Sequence, residues 1–483
     1  MNYNMVFRIA GRISGMLAGI LLLPLAVSLF YGESVRGFLA AIAISAAFSA
    51  LCFLITRNKS IRMFSKEGFA SVALSWIILS LIGAVPFVVE GEIPNYIDAL
   101  FETVSGFTTT GASILEDVEA MSCGLLFWRS FTHWIGGMGI LVLMMAVMPT
   151  SEKYSMFMMR AEVPGHEAGK LVPKVQHSSM ILYLIYVFLT VLETVLLLFG
   201  DMPLFDAVVH AFGTAGTGGF GIKSASIGAY NSAYIDVVIS VFMLLFGVNF
   251  NLYFLLLMKK VGVVLKNEEF RHYIIIVAAS TVAVALNIMS LYGDFITALR
   301  YSFFQVSSII TTTGFATADF NLWPQFSRIL LVLLMFLGAC SGSTGGGIKM
   351  SRVMILFRAA NSEIKHMLRP NSYNSVRLNG KRVDRKVIHS VLVFFLMYMI
   401  ILLASALALS FENCDAETVF TSVIACMSNI GPGLSLVGPA GNFAFYSGAS
   451  KLLLSLCMLM GRLEIFPILM LFSPHTWKKS SKF

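Results

Sequence analysis

Runs of about twenty apolar residues recur along the whole chain, and the short connections between them alternate in charge. A run of that length matches the roughly 30 Å hydrocarbon layer of a bilayer. With 57% of its 483 residues hydrophobic and only 12% charged, the chain carries more apolar surface than a soluble core can use. It reads as an all-α polytopic membrane protein of about ten spans. Arg8 and Arg12 precede the first run, but no small-residue cleavage pattern follows, so that run is a first membrane helix rather than a leader. The six cysteines form no CxxC pair and are expected to be inert.

The formal charge of +8 belongs to topology rather than to nucleic acid. Arg57, Lys59, Arg62 and Lys66 share one connection. Lys153, Arg160, Lys170 and Lys174 share another, and Lys259, Lys260, Lys266 and Arg271 a third. The densest set runs from Arg352 to Lys386, and the tail reads WKKSSKF. The positive-inside rule puts these segments and both termini in the cytoplasm. The opposite connections are acidic: residues 90–127 hold Glu90, Glu92, Asp98, Glu102, Glu116, Asp117 and Glu119 with no Lys or Arg.

After two opening spans, one sequence of events occurs four times: an apolar helix, an acidic turn, a short semi-polar segment, a Gly/Thr/Ser loop and a second apolar helix. The expected units are an N-terminal helix pair at 1–66 and repeats at 67–150, 151–262, 263–370 and 371–483. The short segments are YIDALFETVSGFTTTGAS, LFDAVVHAFGTAGTGGFG, ALRYSFFQVSSIITTTGF and TVFTSVIACMSNIGPGLS. Both flanks of each must lie on the outer side, so each dips into the membrane and returns. They align on Gly111, Gly219, Gly314 and Gly431, with a second glycine 24 to 30 residues later at Gly137, Gly247, Gly338 and Gly461. Asp98 and Asp206 each stand 13 residues before their glycine.

Non-helical backbone at membrane depth is tolerated only where protein or water satisfies its carbonyls. Four such loops about one axis form a ring of oxygens suited to a dehydrated alkali cation. Glycine frees its neighbours' carbonyls to point inward, threonine can add hydroxyls, and the short helices aim their negative ends at the same axis. Close helix packing by small residues explains any one loop, but not four in register on one side.

The stretches SSIITTTGFATADFNLWPQFSR, GACSGSTGGGIKMSR, WRSFTHWIGGMGILVL, MRAEVPG and LMGRLEIFP resemble the TrkH/TrkG potassium-uptake subunits of the Trk/Ktr/HKT superfamily, nearly end to end. The resemblance implies a pseudo-fourfold pore for K⁺, a homodimer in the bacterial cytoplasmic membrane, and a cytoplasmic nucleotide-binding ring of TrkA type that regulates opening. No organic cofactor on this chain and no enzymatic activity are expected. It puts the ion-binding filter at Thr109, Thr110 and Gly111; Gly218 and Gly219; Thr312, Thr313 and Gly314; and Asn429, Ile430 and Gly431. Relatives that favour Na⁺ carry serine at the first glycine, so four glycines favour K⁺. The second and fourth loops depart from TTTG, and each loop is shorter than the TVGYG run of tetrameric K⁺ channels, so less stringent discrimination is expected.

ACSGSTGGGIKMSR, residues 339–352, falls in the expected second helix of repeat three, at 326–358. Each glycine there costs a helix about 1 kcal/mol relative to alanine, so the helix must break. A phosphate-binding reading fails because Ile348 stands where a lysine is required. The resemblance makes residues 338–349 an intramembrane gating loop that includes Gly342, Gly345, Gly346, Gly347 and Lys349. Lys349 and Arg352 read otherwise as interfacial anchors. Arg462, inside the last span, is costly there and is expected either to pair with Glu464 or helix-end carbonyls, or to stand in the pore as an electrostatic barrier. His133 and His210 are single and read as satisfied polar groups. An H⁺- or Na⁺-coupled symporter is the alternative, with only Glu193 and Glu464 as carboxylates inside spans. Residues 358–386 read as a solvated, lipid-facing inner connection.

Overall fold

The computed structural model describes residues 1–57, 65–139, 175–370 and 375–477. Lys59, Arg62, Lys153, Arg160, Lys170, Lys174, the MRAEVPG stretch and the terminal lysines lie outside the described residues. An opening group, α1 (Tyr3–Ile20), α2 (Leu22–Tyr31) and α3 (Arg36–Thr56), precedes four helix, re-entrant helix, helix units. Repeat one comprises α4 (Ser65–Gly83), α5 (Val85–Glu90), α6 (Tyr96–Phe107) and α7 (Cys123–Gly137). Repeat two comprises α8 (Val175–Leu198), α9 (Leu204–Gly216), α10 (Ala233–Phe246), α11 (Phe250–Leu257) and the short α12 (Val261–Leu265). Repeat three is α13 (Glu268–Tyr292), α14 (Phe295–Ile310), α15 (Gln325–Phe336) and α16 (Met350–Leu368). Repeat four is α17 (Arg385–Leu409), α18 (Ala416–Met427), α19 (Gly448–Arg462) and α20 (Phe466–Phe472). The only strands among the described residues are Arg377–Leu378 and Lys381–Arg382, joined by Asn379 and Gly380, both at positive φ, as a tight hairpin turn requires.

Six helices among the described residues are long and apolar enough to cross a bilayer, and seven if the bent pair Ala233–Phe246 and Phe250–Leu257 counts as one span. The six are the opening two and the first helix of every repeat. The sequence suggested about ten because it read the second helices as continuous, with a break in repeat three alone. In the structure all four stop at the second glycine: α7 at Gly137, α10 before Gly247, α15 before Gly338 and α19 just after Gly461. Repeat two bends there by 91°. At three of the four stops the glycine lets backbone from elsewhere approach, and at Gly247 it admits the Tyr273 hydroxyl. A methyl built on Gly461 would overlap the carbonyl of Met427, one on Gly338 that of Gly346, and one on Gly137 would lie 2.7 Å from the Cα of Gly216.

Every re-entrant helix begins at an acid, although the fixed offset of 13 revealed only two. Asp98 and Asp206 sit in the first turns of α6 and α9. Asp294 and Asp415 are N-caps whose side chains accept from Thr297 and Thr418 N–H. Asp294 and Asp415 escaped the offset because they stand at the N-cap rather than inside the first turn, and α14 is longer as well. In all four cases a negative group meets the positive helix end.

Each second helix packs on the re-entrant helix of the following repeat: α7 on α9, α10 on α14, α15 on α18, and α19 back on α6. That order closes the four repeats into a ring.

Candidate functional site

At the centre of the ring the four loops share one backbone signature. Thr109, Thr217, Thr312 and Asn429 adopt left-handed conformations (φ 55, 55, 61 and 56°), and two residues later Gly111, Gly219, Gly314 and Gly431 do so again (φ 81, 77, 84 and 96°). The helix ends leading into them are capped alike: Thr110 N–H donates to Ser105 O, Gly218 to Gly213, Thr313 to Ser308 and Ile430 to Ala425, at 2.8 to 2.9 Å. This is the six-to-one bond of a helix-terminating Schellman turn. Three of the four residues at the first position are threonine, where the left-handed region costs roughly 1–3 kcal/mol each. Strain repeated in register is held in place by the surrounding ring.

The loops touch in cyclic order. A methyl built on Gly111 would overlap the carbonyl oxygen of Gly218, one on Gly219 that of Thr313, and one on Gly314 that of Ile430; one on Gly431 would lie 2.7 Å from that of Thr110. In every case the neighbour is the carbonyl just before the next repeat's glycine. The same four glycines line one funnel that also receives Glu116, Arg129 and Lys223. The Lys223 ammonium, donating to Glu119 at 3.0 Å, holds that carboxyl below its ordinary range.

The hydroxyls of Thr110 and Thr313, expected as possible ligands, are engaged by neighbouring side chains. Thr110 Oγ1 lies 2.8 Å from Thr108 Oγ1 and accepts from Asn429 Nδ2 at 2.9 Å, and Thr313 Oγ1 lies 2.8 Å from Thr311 Oγ1. What these two residues offer the ring is backbone oxygen. Thr217 was missed, because GTGGFG aligned on its glycines without revealing that Thr217 stands where Thr109 and Thr312 do.

Beneath the ring, residues 337–349 leave the helix, close to the expected 338–349. The loop's neck is closed by Gly338 N–H to Ile348 O (2.8 Å) and Met350 N–H to Ala339 O (3.2 Å). Its tip reaches the third loop, where Gly346 N–H donates to Thr312 Oγ1 at 2.6 Å. Gly342 and Gly347 turn at φ 72 and 66°. Lys349 is not an interfacial anchor. It is 2% exposed, and its ammonium folds back onto the Gly345 carbonyl.

The break in repeat two interlocks with this loop: Cys340 N–H donates to Gly247 O and Phe250 N–H to Gly342 O, both at 3.0 Å. Glu269, which sequence reading passed over, accepts Ser341 N–H at 2.7 Å and Ser351 N–H at 3.0 Å, one at each end of the loop. Its position in the first turn of a long apolar helix resembled ordinary N-terminal charge.

Arg462 joins the loop to the rest of the ring. Its guanidinium donates to Thr344 O at 2.8 Å and to Gly136 O and Gly137 O at 2.6 Å. Of the two pairings open for it, helix-end carbonyls are the observed one; Glu464 instead meets Arg352 at 2.5 Å. His133 stacks on Phe220 at 4.1 Å behind the second loop, and His210 Nδ1 meets Asp206 O at 2.8 Å. The Nε2 of each has no hydrogen bond among the described residues, so each histidine is half satisfied.

The long apolar helices, the four re-entrant loops closed into a ring and the non-helical segment beneath them define a polytopic helical membrane protein. A family model described as TrkH, cation transport protein, matches residues 35–481. The chain belongs to the TrkH family. It is 37% identical over 99% of its length to the Trk system potassium uptake protein TrkH of Salmonella typhimurium, the whole of which is covered. It is 34% identical to the TrkG protein of Escherichia coli K12, with 94% of each chain covered. The crystal structure of the potassium transporter TrkH from Vibrio parahaemolyticus superimposes with a TM-score of 0.88 at 32% identity, covering 99% of this chain and 100% of that one.

Proposed function

We propose that this chain takes up K⁺ across the cytoplasmic membrane through the glycine ring, with residues 337–349 and Arg462 as the gate. The observation that carries the reading is the cyclic closure of the four loops, each glycine against the carbonyl before the next. Stacked backbone oxygens replace the hydration shell of a weakly hydrated cation without trapping it as a carboxylate would. The bound ion is the cargo, and the carbonyls of Thr110, Gly218, Thr313 and Ile430 are its ligands. Both termini face the cytoplasm, a reading the basic charge of the inner connections supports, and the chain works as a homodimer regulated by a nucleotide-binding ring of TrkA type, as the sequence resemblance implies.

A membrane potential of 100 mV supplies about 2.3 kcal/mol per cation, so inward flux requires no second ion. Glu464 is engaged by Arg352, which leaves Glu193 as the carboxylate available to a coupled mechanism. The test is ⁸⁶Rb⁺ uptake by purified protein in liposomes, competed with K⁺ or Na⁺ and repeated under an imposed pH gradient. K⁺ should compete and Na⁺ should compete weakly; uptake that runs only with the pH gradient would replace the passive reading by the coupled one.

The gate makes its own prediction. Thr312→Val removes the hydroxyl that accepts the Gly346 N–H, a bond worth about 1 kcal/mol. Flux without activator should rise roughly fivefold in the same assay.

A further inference from the structure

The second helices carry charged side chains outside the ring of carbonyls. Asp236 of α10 meets Arg300 of α14 at 3.5 Å. Arg328 of α15 pairs with Glu417 of α18. Lys451 of α19 meets Asp98 of α6 at 2.6 Å. At the remaining boundary Arg129 of α7, held by Glu102 at 2.5 Å, donates to Gly221 O at 2.8 Å in the segment following Gly219 and lies 3.6 Å over Phe220. Every contact runs from the second helix of one repeat to the re-entrant element of the next, in the cyclic order in which the glycines touch.

Glu102 extends the connection by accepting from Ser113 Oγ–H and Ile114 N–H, both at 3.0 Å, in the segment after Gly111. The first two loops are thus bound to one ion pair. At two boundaries the acid sits in the first turn of the re-entrant helix, where it complements the helix dipole; at Asp236 and Arg300 the polarity is reversed. Three charge pairs and one charge-to-carbonyl contact form a belt around the four re-entrant helices, at their outer ends.

We propose that this belt sets the girth of the glycine ring, and that Arg328, Glu417, Lys451, Asp98, Asp236, Arg300 and Arg129 are positioning residues for ion discrimination. The physical reason is that the carbonyls belong to four separate helix ends joined by no covalent bond across the boundaries. Their mutual spacing is therefore held by whatever ties neighbouring repeats together. Slack at one boundary widens or skews the whole ring, because it is closed. This inference rests on the reading of the ring as a K⁺ passage.

Arg328 and Glu417 are the most accessible pair and suit a charge swap. Purified Arg328→Glu, Glu417→Arg and the double variant are compared with wild type for ⁸⁶Rb⁺ against ²²Na⁺ flux in liposomes. Each single variant should lower the Rb⁺:Na⁺ ratio about fivefold and the swap should return it to within about twofold of wild type. A ratio unchanged in the single variants, or a swap that fails to recover it, overturns the belt. Where charge reversal prevents isolation of monodisperse protein, Arg328→Gln, Glu417→Gln and Asp98→Asn give the same readout, and an unchanged ratio in all three likewise overturns it. Wild type that carries no Rb⁺ would instead overturn the passage reading.

Discussion

Gly314→Ala is expected to reduce K⁺ flux on the order of a hundredfold while leaving the protein folded. Gly314 sits at φ 84°, and a methyl on it would overlap the Ile430 carbonyl and lie 2.9 Å from Pro432 Cδ. The obstacle is backbone of the adjacent repeat, which cannot rotate aside as a side chain could. Left-handed strain and a displaced carbonyl together come to about 3 kcal/mol, and every 1.4 kcal/mol is tenfold. Uptake of ⁸⁶Rb⁺ in liposomes measures it, with size-exclusion elution as the folding control. Near-normal flux in Gly314→Ala would show that these carbonyls do not line the path. A methyl on Gly219 would meet the Thr313 carbonyl in the same way, so Gly219→Ala should behave alike.

The second large effect has the opposite sign. Arg462→Ala should raise flux roughly thirtyfold, because a fixed guanidinium near a cation path contributes about 2 kcal/mol of repulsion at the effective dielectric of a protein interior. The same change removes the bond to Thr344 O and with it one tether of the intramembrane loop. Arg462→Lys separates the two effects. The ammonium keeps the charge, but as a point donor it cannot span three carbonyls as the planar fork does, so its flux should fall between wild type and alanine. Equal flux in all three proteins would mean that Arg462 only joins helix ends.

Much of this architecture is legible along the chain because the forces that specify it are local. Apolar runs report transfer into lipid, basic connections report orientation, and a helix cannot continue through ACSGSTGGGIK. Gly111, Gly219, Gly314 and Gly431 could be aligned because a left-handed residue close to foreign backbone admits little else. Continuity of the second helices was misread for the same reason. One to three glycines in GGMG, FGVN or MGRL look tolerable to a local rule, and only the neighbouring pore-helix end, Met427 against Gly461 for example, makes each a terminus. Lys349 was taken for an interfacial anchor because a lysine after a glycine run gives no sign that its own loop folds back over it.

What the chain determined unaided is membrane residence, the fourfold register and where backbone must leave the helix; hydrophobic transfer and backbone sterics act over a few residues. Tertiary structure alone decided which repeat stands beside which, that the Thr110 hydroxyl is taken by Asn429, that Arg462 holds carbonyls and not Glu464, and that Glu269 and Arg129 matter at all. These are distances between residues 27 to 326 positions apart, and no local preference encodes a separation that exists only once the ring has closed.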